Sequence, residues 1–399
     1  MTAPSAPFLT RLRIEDYKSV AHCDIRLGAF NVLFGLNAAG KSNVLDAVRF
    51  LRDALSLGPA EAAQERGGWD AVLRRVPTPA NTCTIALEFR TAASSFPNLL
   101  EPLDGLVEGA YEVSFSSHGA VRERCEIAFP GGEAPDVRFF TDGGVVFEPG
   151  TERPLGKVRP GALYLPLAGT TEPYDRLYSA LTSMFFHTPD LAALRDARPP
   201  TGADTLAEDG GQLGEVIARM ADWERDRVSA YMGAIVPRLT SVGPESVDVP
   251  YIAATMTMDT DGGGGFVRFG AESMSEGTIR ALGQLAALYQ PPARDGRIPL
   301  VAIEEPELAL HPLAAGVLFD ALTEASETVQ ILATSQSAEL FDRKEADLDS
   351  LLVAVARDGV TSIGPVDAVG RSVVADGLAT VGELLRSDQL NPDLGEDIR

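Results

Sequence analysis

The chain opens with short apolar runs that are separated by polar turns. Leu9, Leu12 and Ile14 precede a turn at residues 16–19, and an apolar run follows at 30–34. From residue 44 onward the apolar positions instead recur at helical spacing, at Val44, Leu45, Val48, Leu51 and Leu55. Because strands alternate at a period of about two residues and helices at about 3.6, this pattern predicts a strand, a turn and a helix in that order.

A series of short β-rich runs follows, separated by turns that contain Gly, Pro and Asp. They lie at residues 82–90, 111–115, 125–129, 137–140, 145–147 and 162–165. This spacing indicates an antiparallel β lobe. From residue 174 the period is helical, and the Pro-Pro-Thr-Gly sequence at 199–202 precedes a long amphipathic stretch at 212–239.

Strands return in the second half of the chain. Apolar runs at residues 251–258, 266–269, 298–304 and 329–335 alternate with helical segments. The whole pattern predicts an α/β fold, with a mainly parallel core sheet, an antiparallel β lobe and a helical insertion. We expect three consecutive segments: an N-terminal part at 1–170, the helical insertion at 171–245 and a C-terminal part at 246–399.

Composition narrows the class of protein. The chain has 399 residues, of which 45% are hydrophobic, and this is enough for a substantial core. A formal net charge of −23 argues against nucleic-acid binding that depends on net charge, although a local basic groove is not excluded. Arg225 and Arg227 alternate with acidic residues, which is typical of a solvated helix face.

The cysteines and the N-terminus bear on the compartment. Cys23, Cys83 and Cys125 form no CxxC pair, so we expect buried free thiols rather than a zinc site or disulfides. Residues 1–10 lack the basic start and apolar core of a signal peptide, and no apolar run has membrane-spanning length. We therefore predict a cytoplasmic protein without membrane contact.

The turn between the first apolar strand and the helix has the chemistry of a phosphate-binding loop. Gly35, four residues, Gly40, Lys41 and Ser42 match the spacing of that motif. The glycines let backbone N–H groups approach phosphates, Lys41 would reach the β- and γ-phosphates, and the Ser42 hydroxyl would bind Mg²⁺. A chance glycine-rich turn is the alternative, but only four lysines occur in the chain and one stands at the required position.

Two carboxylates end the apolar run at 298–304. Side chains alternate along a strand, so Glu304 can face Mg²⁺ while Glu305 orients and activates an attacking water. Gln336 follows the next strand and could either hold that water or sense the γ-phosphate. Ser275 is a good N-cap for the helix that begins after it, and a helix start attracts anions.

The order of these motifs resembles the ABC-type ATPase superfamily. The similarity is to its non-transporter branch, which includes the SMC, RecF and OLD-nuclease ATPases and stand-alone bacterial AAA-family ATPases. The motifs are residues 35–43 (Walker A, including Asn37, Ala38, Ala39 and Asn43), 274–278 (signature), 303–307 (Walker B), 310–312 (D-loop) and 333–337 (switch).

The resemblance implies a P-loop NTPase fold of the ABC or SMC-head type. It also implies a head-to-tail homodimer with two MgATP molecules between the subunits. Residues 35–43 would bind the nucleotide of their own chain, with Lys41, Glu305 and Gln336 as catalytic residues and Ser42 and Glu304 as metal ligands. Ser275 and Gly277 would contact the γ-phosphate that the partner chain holds.

Three residues depart from the family pattern. Glu304 replaces the usual Walker B Asp, Glu276 replaces the first signature Gly, and Gln336 stands where transporters carry the switch His. Gln64 is a candidate for the Q-loop glutamine by its place in the sequence.

The function that we expect is an ATP-gated, dimerising ATPase that drives or regulates a separate effector. The effector would be a nuclease or another toxin, and the setting would be phage defence or DNA maintenance. An ATP-stabilised scaffold with little hydrolysis is the alternative, motivated by Glu276 and Gln336. The nucleotide-binding subunit of a membrane transporter is a third reading, against which the long middle segment and the missing switch His both argue.

Overall fold

The computed structural model describes residues 8–92, 105–131, 137–148, 154–246, 251–260, 265–341 and 348–394. These residues fall into two compact units. The phosphate-loop unit comprises the described residues within 6–184, 347–379 and 384–399, and the carboxylate unit comprises those within 185–346 and 380–383. This grouping follows contacts rather than chain order, so the three consecutive segments expected from the sequence stay a prediction.

The secondary structure alternates between strands and helices. The strands are β1 Leu9–Tyr17, β2 Val20–Arg26, β3 Phe30–Phe34, β4 Thr82–Ala92, β5 Leu106–Ser116, β6 Gly119–Ala128, β7 Val137–Asp142, β8 Val145–Phe147, β9 Pro154–Lys157, β10 Phe185–His187, β11 Leu239–Ser246, β12 Ile252–Asp259, β13 Phe266–Gly270, β14 Leu300–Glu304, β15 Gln330–Ser335, β16 Leu351–Arg357 and β17 Val360–Pro365. The α-helices are α1 Lys41–Leu57, α2 Pro59–Gln64, α3 Trp69–Val72, α4 Leu165–Ala168, α5 Tyr174–Thr182, α6 Leu191–Arg195, α7 Leu213–Arg219, α8 Asp222–Ile235, α9 Glu276–Tyr289, α10 Pro291–Arg294, α11 Pro312–Ala325, α12 Ala368–Ala375 and α13 Val381–Arg386. Among the described helices, none is long and apolar enough to cross a membrane.

The phosphate-loop unit is built on a mixed sheet. Its strands run in the order β3-β16-β17-β2-β1-β4-β5-β6-β7-β8-β9. β3 is parallel to β16, and β17 is parallel to β2, whereas the strands from β1 outward through β4 to β9 are antiparallel. The antiparallel β lobe expected from the sequence is therefore present.

Helix α1 covers this sheet with its apolar face. Its buried side chains include Val44, Val48, Phe50, Leu51 and Leu55, which recur at helical spacing. The same core holds the three cysteines, which are free and buried. Burial raises the pKa of the Cys23 and Cys83 thiols to about 12, so they behave as apolar packing groups.

The carboxylate unit contains three parallel strands in the order β10-β14-β15. Ile303, near the end of β14, is paired with His187 of β10 on one side and with Ala333 of β15 on the other. Helix α9 packs on β14, and α11 packs on β15. A second sheet, β11-β12-β13, is antiparallel.

One local prediction is wrong. Residues 162–165 do not form a strand, because the buried Glu123 carboxylate accepts hydrogen bonds from the Tyr164 and Leu165 N–H groups and α4 begins there. The amphipathic stretch at 212–239 contains two helices, α7 and α8. It breaks at Ala221, whose N–H group donates to the Glu224 carboxylate at 2.7 Å and so caps a new helix, α8.

Candidate functional site

The phosphate-loop motif lies between β3 and α1, as predicted. Gly40 is the N-cap of α1 with φ of 91°, and Ala38 also has a positive φ, of 64°. Left-handed residues among right-handed ones turn successive N–H groups toward one side, which is the geometry that binds anions. Asn37, Ala38 and Ser42 are exposed, whereas Ala39 is buried.

Both motif glycines are in tight contact with the C-terminal hairpin β16–β17. A Cβ on Gly35 would lie 2.4 Å from the Ala354 carbonyl oxygen, and a Cβ on Gly40 would lie 2.1 Å from Thr361 Oγ1. Sequence reasoning assigned these glycines to phosphate approach alone. The structure adds a second requirement, since any side chain there would collide with the hairpin.

Lys41 is held inside the loop that it closes. Its side chain is buried, and Nζ donates to the carbonyl oxygens of Gly35 at 2.7 Å and Leu36 at 3.1 Å. A buried ammonium group at a helix N-terminus is a favourable partner for a polyphosphate, because the charge and the helix dipole add. The loop therefore fits the nucleotide that the motif implies.

A chain of polar side chains supports the first turn of α1. Asn43 Nδ2 donates to Ser19 Oγ at 2.7 Å, and Ser19 Oγ lies 2.7 Å from Thr361 Oγ1. Thr361 is buried, and it is the same residue that contacts Gly40. The position of Asn43, which was expected to contact nucleotide, is thus fixed from the hairpin side.

Asp46 fixes the second turn of α1. Its carboxylate accepts from Tyr17 Oη at 2.5 Å and pairs with Lys18 Nζ at 2.5 Å and Arg66 Nε at 2.9 Å. Burial alone would raise the pKa of Asp46, but Arg66 and Lys18 outweigh it and lower the pKa below its usual value. The carboxylate therefore stays ionised and ties α1 to the β1–β2 turn.

The two acidic residues expected to act on Mg²⁺ and water end β14 in the carboxylate unit. Glu304 is the last residue of the strand, and Glu305 leaves it with a φ of 44°, a conformation that non-glycine residues rarely adopt. The Glu305 N–H group donates to both the backbone oxygen and Oγ1 of Thr334 at 3.1 Å. The neighbouring strand thus holds the unusual backbone in place.

Gln336 lies against Glu305. Gln336 Nε2 donates to Glu305 Oε2 at 3.1 Å, so the two predicted catalytic side chains are brought together. The backbone around Gln336 is held by Glu307, whose Oε1 accepts from Ser335 Oγ at 2.7 Å and from Gln336 N at 3.1 Å. Sequence reasoning gave no role to Glu307. Its place two residues after Glu305 was the only available signal.

The signature residues open α9, as the N-cap pattern predicted. Ser275 Oγ accepts from Thr278 N at 3.3 Å, and the side chains of Ser275 and Glu276 are exposed. A Cβ on Gly277 would lie 2.4 Å from the Ala309 carbonyl oxygen, in the turn after Glu305. Arg195 donates to the carbonyl oxygen of Met274 at 2.8 Å and braces the approach to the helix.

The remaining predicted residues have simpler surroundings. Gln64, the Q-loop candidate, is exposed at the end of α2 in the phosphate-loop unit. His311 of the D-loop motif precedes α11, where its Nδ1 accepts from Leu313 N at 3.4 Å. The exposed Ser42 hydroxyl stands in the first turn of α1, and hydroxyl and carboxylate oxygens are the ligand types that Mg²⁺ prefers. The roles of these residues stay predictions.

Comparison with known proteins identifies the family of the chain. Residues 30–95 and 182–342, together more than half of the chain, match the family described as "AAA domain, putative AbiEii toxin, Type IV TA system". A stretch of 44 residues is 48% identical to the DNA replication and repair protein RecF of Vibrio cholerae. It covers 11% of this chain and only 12% of RecF.

Solved structures extend the likeness to most of the chain. One is the SMC head bound to the C-winged helix domain of ScpA, with a TM-score of 0.55 and 13% identity, over 92% of this chain and 99% of that one. Another is the Pyrococcus furiosus SMC head with an extended coiled coil bound to the C-terminal domain of ScpA, with a TM-score of 0.53 and 12% identity, over 93% and 99%. The predicted SMC-head type of α/β fold and the resemblance to SMC and RecF ATPases are confirmed.

Proposed function

Because this chain belongs to the AAA-domain family described above, within the SMC- and RecF-like ATPases, we propose that it binds and hydrolyses ATP in a head-to-tail dimer. The observation that carries the proposal is the buried Lys41 ammonium at the start of α1. Its Nζ lies within the loop, where it donates to the Gly35 and Leu36 carbonyl oxygens. An ammonium group at a helix N-terminus favours a polyphosphate ligand, because its charge and the helix dipole act in the same direction.

The proposed roles follow the motifs. Gly35, Asn37, Ala38, Ala39, Gly40, Lys41, Ser42 and Asn43 bind the phosphates, and Ser42 and Glu304 hold Mg²⁺. Glu305 acts as the general base toward the attacking water, and Gln336 positions that water. The hydrogen bond between Gln336 Nε2 and Glu305 Oε2 supports roles for both side chains at the same water. Ser275 and Gly277 of the second subunit contact the γ-phosphate.

Hydrolysis in turn drives or regulates a separate effector in phage defence or DNA maintenance. The family name refers to a toxin of toxin–antitoxin systems, and RecF is a replication and repair protein. Both of the SMC heads described above are bound to a domain of ScpA, so a head of this fold can hold a second protein. A nuclease or another toxin is the effector that we propose here.

The test compares phosphate release and nucleotide binding in three proteins. We expect Lys41→Ala to lower ATP turnover by about 100-fold, because the only side-chain cation in the loop motif is removed. Lys157→Ala, which changes an exposed lysine of β9, is the matched control and should leave turnover unchanged. Glu305→Gln should bind ATP and accumulate as a dimer in size-exclusion chromatography. A Glu305→Gln protein that stays monomeric with ATP and Mg²⁺ contradicts the dimer.

One observation favours the scaffold as a second candidate. The Gln336 amide donates to one oxygen of Glu305, so that oxygen is engaged by the amide rather than by an attacking water. On this alternative, ATP binding alone assembles the dimer and little phosphate is released. Phosphate release that is lost in Lys41→Ala excludes the scaffold, whereas ATP-dependent dimers without release support it.

A further inference from the structure

Glu307 contacts the segment that carries Gln336 through one carboxylate oxygen. Oε1 accepts from Ser335 Oγ at 2.7 Å, from Gln336 N at 3.1 Å and from Ser337 N at 3.3 Å. Three consecutive residues thus donate to a single atom. Because hydrogen bonds to a carboxylate are stronger than those between neutral groups, this oxygen determines where the backbone goes after β15.

The segment is tied to the turn after β14 at two points. The Glu305 N–H group donates to Thr334, and Glu307 accepts from the residues just beyond Thr334. Within the turn, Leu308 N donates to Glu305 O at 2.9 Å and Leu310 N donates to Glu307 O at 3.0 Å. These hydrogen bonds fix the backbone at Glu305 and Glu307. The Gln336 side chain then donates to the Glu305 carboxylate.

Stability alone does not account for Glu307. Its second oxygen, Oε2, is shielded from solvent and has no hydrogen-bond partner within the part of the chain that the structure describes. A shielded polar atom without a partner lowers stability. A residue that accepts this cost while it orders three consecutive donors is better explained by the geometry that it creates.

We propose that Glu307 is a positioning residue for ATP hydrolysis. It holds the backbone at Ser335–Ser337 so that the Gln336 amide reaches the Glu305 carboxylate. The catalytic consequence of this proposal rests on the proposed function, because only an enzyme that hydrolyses ATP needs Glu305 and Gln336 to be placed together. Its structural part, that Glu307 anchors this segment, stands on the three hydrogen bonds alone.

The first measurement is hydrogen–deuterium exchange of the peptide that contains Ser335–Ser337, without nucleotide. Glu307→Ala removes the acceptor of the Gln336 N–H group and one of the two acceptors of the Ser337 N–H group, the other being Ser335 Oγ. Exchange at Gln336 should become at least about tenfold faster. Glu307→Gln keeps an acceptor oxygen at the same place and should exchange like the natural protein. Glu327→Ala, which removes an exposed glutamate of the same unit, is the matched control.

The second measurement is steady-state ATP turnover. Glu307→Ala should lower kcat by about 10- to 100-fold, because a small misplacement of catalytic groups has effects of this size. The KM for ATP should change by less than about threefold, since Glu307 lies outside the residues proposed to bind phosphate. Glu307→Gln should restore most of the turnover.

A double-mutant cycle links the effect to Gln336. Gln336→Ala should lower kcat, and adding Glu307→Ala to it should cause less than about a twofold further loss, because the group being positioned is already absent. If Glu307→Ala does not fold, Ser335→Ala removes one of the three donors and serves in its place in both measurements.

The outcomes separate the inference from the function. Unchanged hydrogen exchange or an unchanged kcat in Glu307→Ala would overturn the positioning role. The role would also be overturned if Gln336→Ala has no effect on kcat, or if the two losses are additive in the double-mutant cycle. Faster exchange in Glu307→Ala, together with no ATP hydrolysis in the natural protein, would support the structural role of Glu307. That result would instead reject the proposed ATPase activity.

Discussion

His187 is fully buried at the end of β10, and neither ring nitrogen has a hydrogen-bond partner within the described residues. Burial lowers the pKa of His187 to about 3, while Asp209 and Arg280 act on it in opposite directions. An unfolded histidine titrates near 6.5. The folded protein therefore keeps this ring neutral throughout the range in which the unfolded chain takes up a proton.

The sign of the resulting pH dependence follows from linkage. As pH falls below about 6.5, protons bind the unfolded chain and not the folded one, so stability decreases until pH reaches about 3. We expect His187 to contribute a loss of about 1 kcal/mol in the free energy of unfolding between pH 6.5 and 5.5. His187→Phe should remove this loss, as measured by urea unfolding at both pH values.

The exposed His118 provides the control for this measurement. His118→Phe should retain the full pH dependence, because it leaves the buried His187 ring in place. Equal pH dependence in His187→Phe and the natural protein would show that the buried ring is not the responsible group.

At the scale of elements, helix α9 offers two glycines for comparison. A Cβ on Gly277 would meet the Ala309 backbone oxygen at 2.4 Å, whereas a Cβ on Gly283 would meet the end of the flexible Leu194 side chain at 2.5 Å. Both changes to Ala gain about 1 kcal/mol of helix propensity. Only Gly277→Ala forces a backbone apart, so it should be less stable than Gly283→Ala by about 1–3 kcal/mol.

Thermal unfolding of the two variants checks this expectation, with the natural protein as the reference. These melting temperatures also report on the turn that follows Glu305, because Ala309 belongs to that turn and has a positive φ of 64°. Equal melting temperatures for Gly277→Ala and Gly283→Ala would mean that this turn moves freely away from α9.

The elements next to the site were predictable from the sequence, and some of those farther away were not. The apolar run at 30–34 and the helix from Lys41 onward were found because glycines and periodicity mark both borders. The helix break at Ala221 depends on a side chain, Glu224, that turns back to cap the next helix. Residues 162–165 had strand-like composition, but the N–H groups of Tyr164 and Leu165 donate to Glu123, which is far from them in the sequence. Local patterns do not contain that information.

At the scale of the whole molecule, the proposed dimer makes each site a joint property of two chains. Lys41→Ala lacks the cis half of a site, and Ser275→Arg places a bulky cation on the exposed residue proposed to act in trans. Each variant alone should be inactive. Mixed together, they form heterodimers with one intact site, so about a quarter of the natural turnover should return.

Phosphate release from the mixture, compared with each variant alone, is the readout. A mixture that stays inactive while both proteins still bind each other would argue against a composite site. Activity of Ser275→Arg alone would show that the exposed start of α9 lies outside the site. In either case the phosphate-loop assignment of residues 35–42 would be unaffected.

The sequence also did not reveal what supports the phosphate loop from behind. Walker A spacing identifies Gly35 and Gly40, but Ala354 and Thr361 are recognised only when the β16–β17 hairpin is seen against them. Likewise, the roles of Ser19 and Thr361 depend on β17 lying next to β2. Contacts between residues so far apart in the sequence leave no periodic trace.

This long-range support has a consequence for how the protein is made. The phosphate loop is translated well before the hairpin that packs against Gly35 and Gly40, because β4 to β15 lie between them in the chain. Contacts at such sequence separation form late in folding. A nascent chain therefore cannot complete its nucleotide site until the hairpin emerges, and any ATP-dependent pairing is delayed until then.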